Sequence, residues 1–415
     1  MAINITAPTK TKDGYISNWF ACNNPVVFAF ETTSSDNFIQ IALYETDGIS
    51  QIVELKRVPF PNNNIIKFDF QSFLQSVTSN EDDSLLINTG VGVNAVSQYK
   101  TFRIGYRTTE TGAYTVDINE YNAINSVRQA LSPYGQNMVD YLYNIDYSGP
   151  TLDFSGRFLT EFKELPLYWF SPFDNPSASE VTYFYPTLAF IITEEFADNS
   201  TGYKVVSDFK NSDGSIAKTI TQNNVFSSPY SQRVVYINYE SVSPDEAFFY
   251  DSIDITIQDL DNNFDIISTY VLRPTRVCLN PTVIKWKNDL GGWDVWAFEG
   301  SAPFTIETEV TGNYEVTYED IQNLSEISKQ FQKRRQPTQE VSADNLDLNQ
   351  AKSLSKILSS PTVRLCVSDF KNGESAEAWQ TVNVFDGDFT IYDERLKKYS
   401  FSFGYSLLQQ FTISN

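Results

Sequence analysis

The chain contains no histidine, and that single absence removes a good part of enzymology. Ser-His-Asp and Cys-His nucleophile arrangements, the HExxH metalloprotease helix and His-ligated zinc or iron all need an imidazole, as does the commonest general base near neutral pH. Carboxylate, lysine and tyrosine chemistry survive. Cysteine is nearly as scarce. Cys22, Cys278 and Cys366 are the only three; they are odd in number and far apart, so buried free thiols are expected and a disulfide framework is not. With no imidazole to activate a thiol, a catalytic cysteine is not expected either. No stretch approaches the roughly 18 to 20 consecutive apolar residues that span a bilayer, so no membrane insertion is expected. The opening MAINITAPTKTKDGY has no apolar core of the signal-peptide kind, and synthesis in a cytoplasm is the expectation. Basic residues are few: 30 Lys and Arg stand against 52 Asp and Glu, a formal net charge of −22. That balance disfavours a nucleic-acid partner, which needs a basic face for its phosphates, and an anionic membrane surface for the same reason.

What the chain does have is length and aromatic rings. At 415 residues it exceeds what one core usually serves, so two to three domains are expected. Aromatic residues make up 15% and charged residues 20%, which leaves Ser, Thr, Asn and Gln to cover much of the exterior. Three of the six tryptophans, Trp286, Trp293 and Trp296, lie close together around Asn288-Asp289-Leu290-Gly291-Gly292. Asn and Asp bond their own backbone and Gly accepts positive φ, so this is a turn. Its flanks, Val283 to Trp286 and Trp293 to Phe298, run apolar or alternate as strands do. The reading is an aromatic hairpin in mid-chain. Trp286, Trp293, Trp296 and Phe298 are its packing or interface residues, and Gly291 and Gly292 serve the turn.

The fold class expected is mainly β: two to three antiparallel β-sandwich-like domains in tandem, with short connecting helices and a helix-containing C-terminal region. Residues 1–120 form the first domain, with strands at Val26 to Glu31, Ile39 to Tyr44, Ile66 to Phe70 and Thr101 to Arg107 and a helical turn at Gln71 to Val77. Residues 121–147 read as a helical connector, from the spacing of Ala123, Val127, Ala130 and Leu131. Residues 148–275 form the second β domain, in which Ile253, Ile255 and Ile257 share one face. Residues 276–415 form an α+β domain with two hairpins. There Ile321, Leu324, Ile327 and Phe331 have helical spacing, and Lys333-Arg334-Arg335 would complement that helix's C-terminus. A second helix, capped by Asp344, would present Leu348, Ala351, Leu354 and Leu358. Asp386 and Gly387 mark the second hairpin as a type I′ turn, and Tyr399, Phe401, Phe403 and Tyr405 line one face of the last strand.

Two motifs have simpler accounts than the ligand sites they suggest. Thr89 to Ala95, TGVGVNA, has the loose dinucleotide spacing but no surrounding βαβ pattern. Asp259-x-Asp261-x-Asn263-x-Asp265 places oxygens at alternate positions, yet Phe264 stands where a calcium loop needs glycine and Tyr270 where it needs a bidentate glutamate. A β-turn accounts for it. No cofactor and no metal is expected.

The blocks AINSVRQ (Ala123 to Gln129), FLTEFKELPLYWFSPFD (Phe158 to Asp174), WKNDLGGWDVWAFEG (Trp286 to Gly300), SSPTVRLCV (Ser359 to Val367) and WQTVNVFDGDFTIYD (Trp379 to Asp393) resemble uncharacterised virion proteins of tailed phages and prophages of Bacteroidota. They look like the tail or tail-tip class rather than the capsid class. The similarity is spread over roughly residues 120 to 405, and the family supplies no catalytic residues. The resemblance implies a non-enzymatic structural component of the virion whose partners are other virion proteins and copies of itself. Two alternatives remain open. One is a host-surface module of a tail fibre or baseplate that binds glycan through stacked aromatic rings. The other is a glycosidase, for which no carboxylate pair can be singled out from sequence.

Overall fold

The computed structural model describes residues 3–8, 11–12, 15–16, 19–32, 38–55, 57–61, 64–78, 92–94, 99–125, 156–160, 162–171, 174–184, 188–192, 202–225, 233–237, 247–260, 266–277, 281–301, 305–315, 328–367, 379–385, 398–407 and 410–413. The protein is mainly β, with several sheets and short helices. Compactness groups the chain into two units, neither of them a continuous stretch. The first comprises Met1–Glu164, Thr187–Arg273 and Asn288–Trp293; the second comprises Leu165–Pro186, Pro274–Lys287 and Asp294–Asn415.

In the first unit, Val27–Thr32 is the middle strand of a three-stranded sheet, between Ile3–Thr6 and Ile65–Asp69. Its alternation is strict: Phe28 and Phe30 are buried while Glu31 faces solvent. A second sheet runs in the order Trp19–Ala21, Tyr121–Ile124, Tyr99–Arg107, Phe38–Tyr44, Gln51–Glu54. Phe28, Phe30 and Ile66 from the first sheet and Phe20, Ile41, Leu43, Phe102 and Ile104 from the second belong to one hydrophobic core. The helix Gln71–Val77, where the sequence places it, adds Leu74. Burying a side chain of this size stabilises by roughly 1.5–3 kcal/mol, so the core, not the surface ion pairs, holds these sheets. Cys22 is a buried thiol, outside any disulfide and within 3.3 Å of the Thr78 hydroxyl, and Cys366 is a partly buried thiol, likewise outside any disulfide. Cys278 lies outside the described residues.

Further along the same unit, Gly202–Lys210 is flanked by Ile216–Val225 and Ser252–Asp259, and Ser252–Asp259 pairs in turn with Ile266–Arg276. Ile253, Ile255 and Ile257 are all buried, as their alternation requires. Gly92–Asn94, from the glycine-containing motif, is a strand paired with Arg233–Ile237. Residues 261–265 of the candidate calcium loop lie outside the described residues.

The second unit is dominated by a nine-stranded sheet. Its order is Trp293–Phe298, Thr282–Lys287, Val363–Cys366, Trp379–Phe385, Tyr399–Ser406, Ser328–Leu346, Gly300–Ser301, with Thr305–Glu315 and Gln410–Ile413 also pairing to Ser328–Leu346. The first and last strands of that order are separated in the chain by Glu299 alone. The sheet therefore curls back on itself into a nearly closed barrel, which leaves few open edges. Phe401, Phe403 and Tyr405 are buried on one face of the last long strand, and Phe403 meets Phe298 edge-on at 5.5 Å between ring centres.

Three expectations need correction. Ser328–Leu346 is one long strand, so the helix expected to end at Arg335 is not there; residues 316–327 lie outside the described residues. Lys333, Arg334 and Arg335 stand in register with Val310, Glu309 and Thr308 of Thr305–Glu315. A long antiparallel ladder overrides a weak helical spacing, as tertiary pairing commonly does. The second helix runs Leu348–Ser355 and is capped by Asp347, not Asp344, through a capping box in which Asp347 and Gln350 each bond the other's backbone N–H. It buries Ala351 and Leu354, whereas Leu348 and Leu358 are 48% and 41% exposed. Lastly, Tyr121–Ile124 is a fully buried strand, antiparallel to Tyr99–Arg107 and parallel to Trp19–Ala21. The connector therefore begins as β-structure, because two neighbouring strands satisfy its backbone; residues 126–150 lie outside the described residues.

Candidate functional site

The tryptophan hairpin is present, with strands Thr282–Lys287 and Trp293–Phe298 adjacent in the sheet. Its turn is organised by one side chain. The Asn288 Oδ1 accepts from the backbone N–H of Leu290 and of Gly292, each at 3.0 Å, and its Nδ2 donates to the Leu159 carbonyl at 2.9 Å. The main chain closes the loop with Asn288 N–H to Gly292 O at 3.0 Å and Gly291 N–H to Asn288 O at 3.1 Å. Gly291 has φ +93°, a region that L side chains rarely adopt. A Cβ on Gly292 would lie 2.0 Å from the Leu159 carbonyl oxygen, and one on Gly291 would lie 2.8 Å from that of Asn125. Asn288, Leu290, Gly291 and Gly292 are all buried. A turn with this sequence is ordinarily a solvated surface feature; here it is an interior one.

The three tryptophans divide. Trp286 and Trp293 are buried, as is Phe298, while Trp296 is partly exposed. Charged residues share the buried stretch: Lys285, Lys287 and Asp294 are almost completely shielded. The Lys285 ammonium sits 4.1 Å above the Trp379 ring. A desolvated cation–π contact of this kind stabilises by about 2 kcal/mol. Asp386 and Gly387 lie outside the described residues.

Trp296 lines an open pocket of about 460 Å³ at the seam of the barrel-like sheet, with Tyr168, Arg276, Glu299, Asp344 and Asn345. The strand Glu164–Phe170 supplies Tyr168, which is buried and meets Trp296 edge-on, with ring centres 6.2 Å apart and planes at 84°. Burial pushes the Tyr168 phenol well above its ordinary value, so it stays protonated at any working pH. Arg276 is 3.7 Å from Asp174 and 5.6 Å above the Trp169 ring. Asp344 and Asn345 reach the pocket because the ladder slips. Ala343 pairs with Phe401 and Leu346 with Tyr399, so two residues bulge against one. Asn345 carries the bulge at φ +60°.

No model of a known protein family matches the chain, and no curated protein matches it. The pocket must therefore be read from its own chemistry. Among the described residues Asp47, Glu164, Glu180 and Asp213 are held below the usual carboxylate range by hydrogen bonds, from Ser50, Arg273, Ser177 and Ser215 respectively, and none of these four lines the pocket. Among the described residues no three His, Cys, Asp or Glu side chains are grouped to hold a metal ion. No helix among them is long and apolar enough to cross a membrane.

Of the residues singled out in the sequence, Trp296 and Asp344 reach this pocket, Asp344 as part of a bulge and not as a helix cap; Glu299, at the end of the hairpin stretch, joins them. Tyr168 was missed, although Glu164–Phe170 has the apolar, aromatic-rich composition of a buried strand. Asn345 had a signal too: an Asp-Asn pair interrupting a long strand is bulge chemistry.

Proposed function

We propose that this chain is a non-enzymatic structural component of a phage virion, of the tail or tail tip, acting by assembly with other virion proteins and with copies of itself. The resemblance of the sequence blocks from Ala123 to Asp393 is the ground for the virion assignment, and the tandem β-sandwich-like domains expected from the strand patterns suit that role. The structural observation in its favour is the strand Ile216–Val225. Among the described residues it closes one end of its sheet and pairs with Gly202–Lys210 alone, and it is exposed over Ile216 to Thr219. An exposed edge strand offers a row of main-chain donors and acceptors that a partner strand can extend. Its Lys218 and run of Thr, Gln and Asn keep that edge soluble until the partner arrives.

The test is the mass of the purified chain in solution together with its presence in purified particles. An oligomer, or a chain found in virions, is the expected result; a strictly monomeric chain absent from purified virions overturns the reading. The alternative, a glycan-binding module on the host-facing part of the tail, is favoured by one observation, the partly exposed Trp296 in a polar-rimmed pocket.

A further inference from the structure

The pocket at the barrel seam has a more definite chemistry than the alternative reading on which it rests. Its volume, about 460 Å³, lies in the range of roughly 300–1,000 Å³ typical of small-molecule sites. Trp296 is its aromatic surface. The edge-on contact with Tyr168 fixes the plane of the indole and also leaves no gap between the two rings. An ammonium group needs aromatic walls on several sides, with space between them. A single ring surface instead suits a flat, weakly apolar partner that stacks on one face.

The rim decides what that partner carries. Glu299 and Asp344 are carboxylates, and Arg276 is already close to Asp174 and over Trp169. Two negative charges facing one engaged positive charge disfavour an anionic ligand. They suit hydroxyl groups, because ionised carboxylates accept O–H donors strongly. The Asn345 amide adds two donors and an acceptor.

The backbone is shaped toward this opening at a cost. A non-glycine residue at positive φ is strained, and asparagine is among the few that tolerate it. Asn345 takes that conformation in a bulge that delivers itself and Asp344 to the rim. An unbroken ladder would have kept Ser328–Leu346 in register with Tyr399–Ser406 and given up the pocket wall.

We propose that this pocket binds a neutral saccharide, with the apolar face of one pyranose ring stacked on Trp296 and its hydroxyls held by Glu299, Asp344 and Asn345. The contact area of one ring sets the affinity on the order of a millimolar for a mono- or disaccharide, and several copies in one particle raise it through avidity.

The experiment titrates the full chain with glucose, galactose, mannose, N-acetylglucosamine, cellobiose and chitobiose, followed by tryptophan fluorescence and calorimetry. At least one of these sugars is expected to bind. Trp296→Ala should weaken it by about tenfold or more, Trp296→Phe should retain most of the binding, and Asp344→Asn should weaken it several-fold. Asp344 and Asn345 are exposed, so Asp344→Asn and Asn345→Ala carry the test if Trp296→Ala does not fold. The proposal is overturned if none of the six sugars binds, if Trp296→Ala binds as the wild type does, or if tetramethylammonium or acetate saturates the pocket where no sugar does. Incorporation of Trp296→Ala into virions is read separately. A variant that assembles normally but has lost sugar binding separates this site from the assembly surface, and absence of sugar binding leaves the assembly reading standing.

Discussion

Among the described residues that take positive φ, Gly291 and Asn345 use it in opposite ways. At the turn Asn288 to Gly292 the residue is Gly291, buried, where a Cβ would lie 2.8 Å from the Asn125 carbonyl oxygen and the Leu290 and Gly292 amides are held by the Asn288 side chain. At the bulge between Ala343 and Leu346 it is Asn345, exposed, on the rim of a pocket. The first is a device for close packing: glycine is required because there is no room for a Cβ. The second has room for a side chain and keeps one despite the strain. An unusual backbone angle alone says nothing about function. Its surroundings do, because a sealed angle serves the fold and an open one presents a side chain.

Substitutions can break that contrast. Gly292→Val should have the largest effect, since its Cβ would sit 2.0 Å from the Leu159 oxygen. A loss above about 5 kcal/mol is expected, seen as insoluble expression or failed assembly; unchanged folding and assembly would mean that the turn is misread. Asn288→Ala follows. It strands the Leu290 and Gly292 amides and the Leu159 carbonyl, which should cost about 3–5 kcal/mol in denaturant unfolding. For Gly291→Ala, strained at φ +93° and 2.8 Å from the Asn125 oxygen, about 2 kcal/mol is expected by the same measurement. Asn345→Gly should shift stability by less than about 1 kcal/mol, because relief of strain offsets the added freedom of the unfolded chain. A loss as large as that at Gly291 would show the bulge to be structural.

The smallest effect belongs to an exposed ion pair. Glu164 is held below its ordinary pKa, chiefly by its hydrogen bond from Arg273. The ionised form is thus favoured in the folded state. Its contribution is present above the unfolded value and is lost as pH falls through the lowered folded one. Both partners are nearly half exposed, so solvent screening limits the contribution to about 0.5 kcal/mol. Melting temperatures of wild type and Glu164→Gln should converge in acid; a gap that widens there contradicts the assignment.

Much of the fold was legible because alternation and turn chemistry are local. Phe38–Tyr44, Ser252–Asp259, the helix Gln71–Val77 and both strands of the tryptophan hairpin lie where their patterns put them. Ile216–Val225 and Thr305–Glu315 were not legible. Rich in Thr, Asn, Gln or Glu, they have no apolar rhythm and are strands because neighbours supply their ladders. Tyr121–Ile124 failed for the related reason that a buried strand and a short helix share the same apolar residues. The pocket was the least visible. Tyr168, Arg276, Trp296 and Asp344 lie far apart in the chain, and no local pattern links them.

The sequence by itself determined that this protein is mainly β, that it has no imidazole chemistry, and that Asn288 to Gly292 is a turn between aromatic strands. These follow from composition and from interactions within a few residues. Only the tertiary structure decided that the turn is buried, that two tryptophans are core while Trp296 borders a pocket, and that a long antiparallel ladder replaces a helix. Burial and strand pairing depend on which distant segments arrive, and side chains spaced alike along the chain acquire different roles when their neighbours differ.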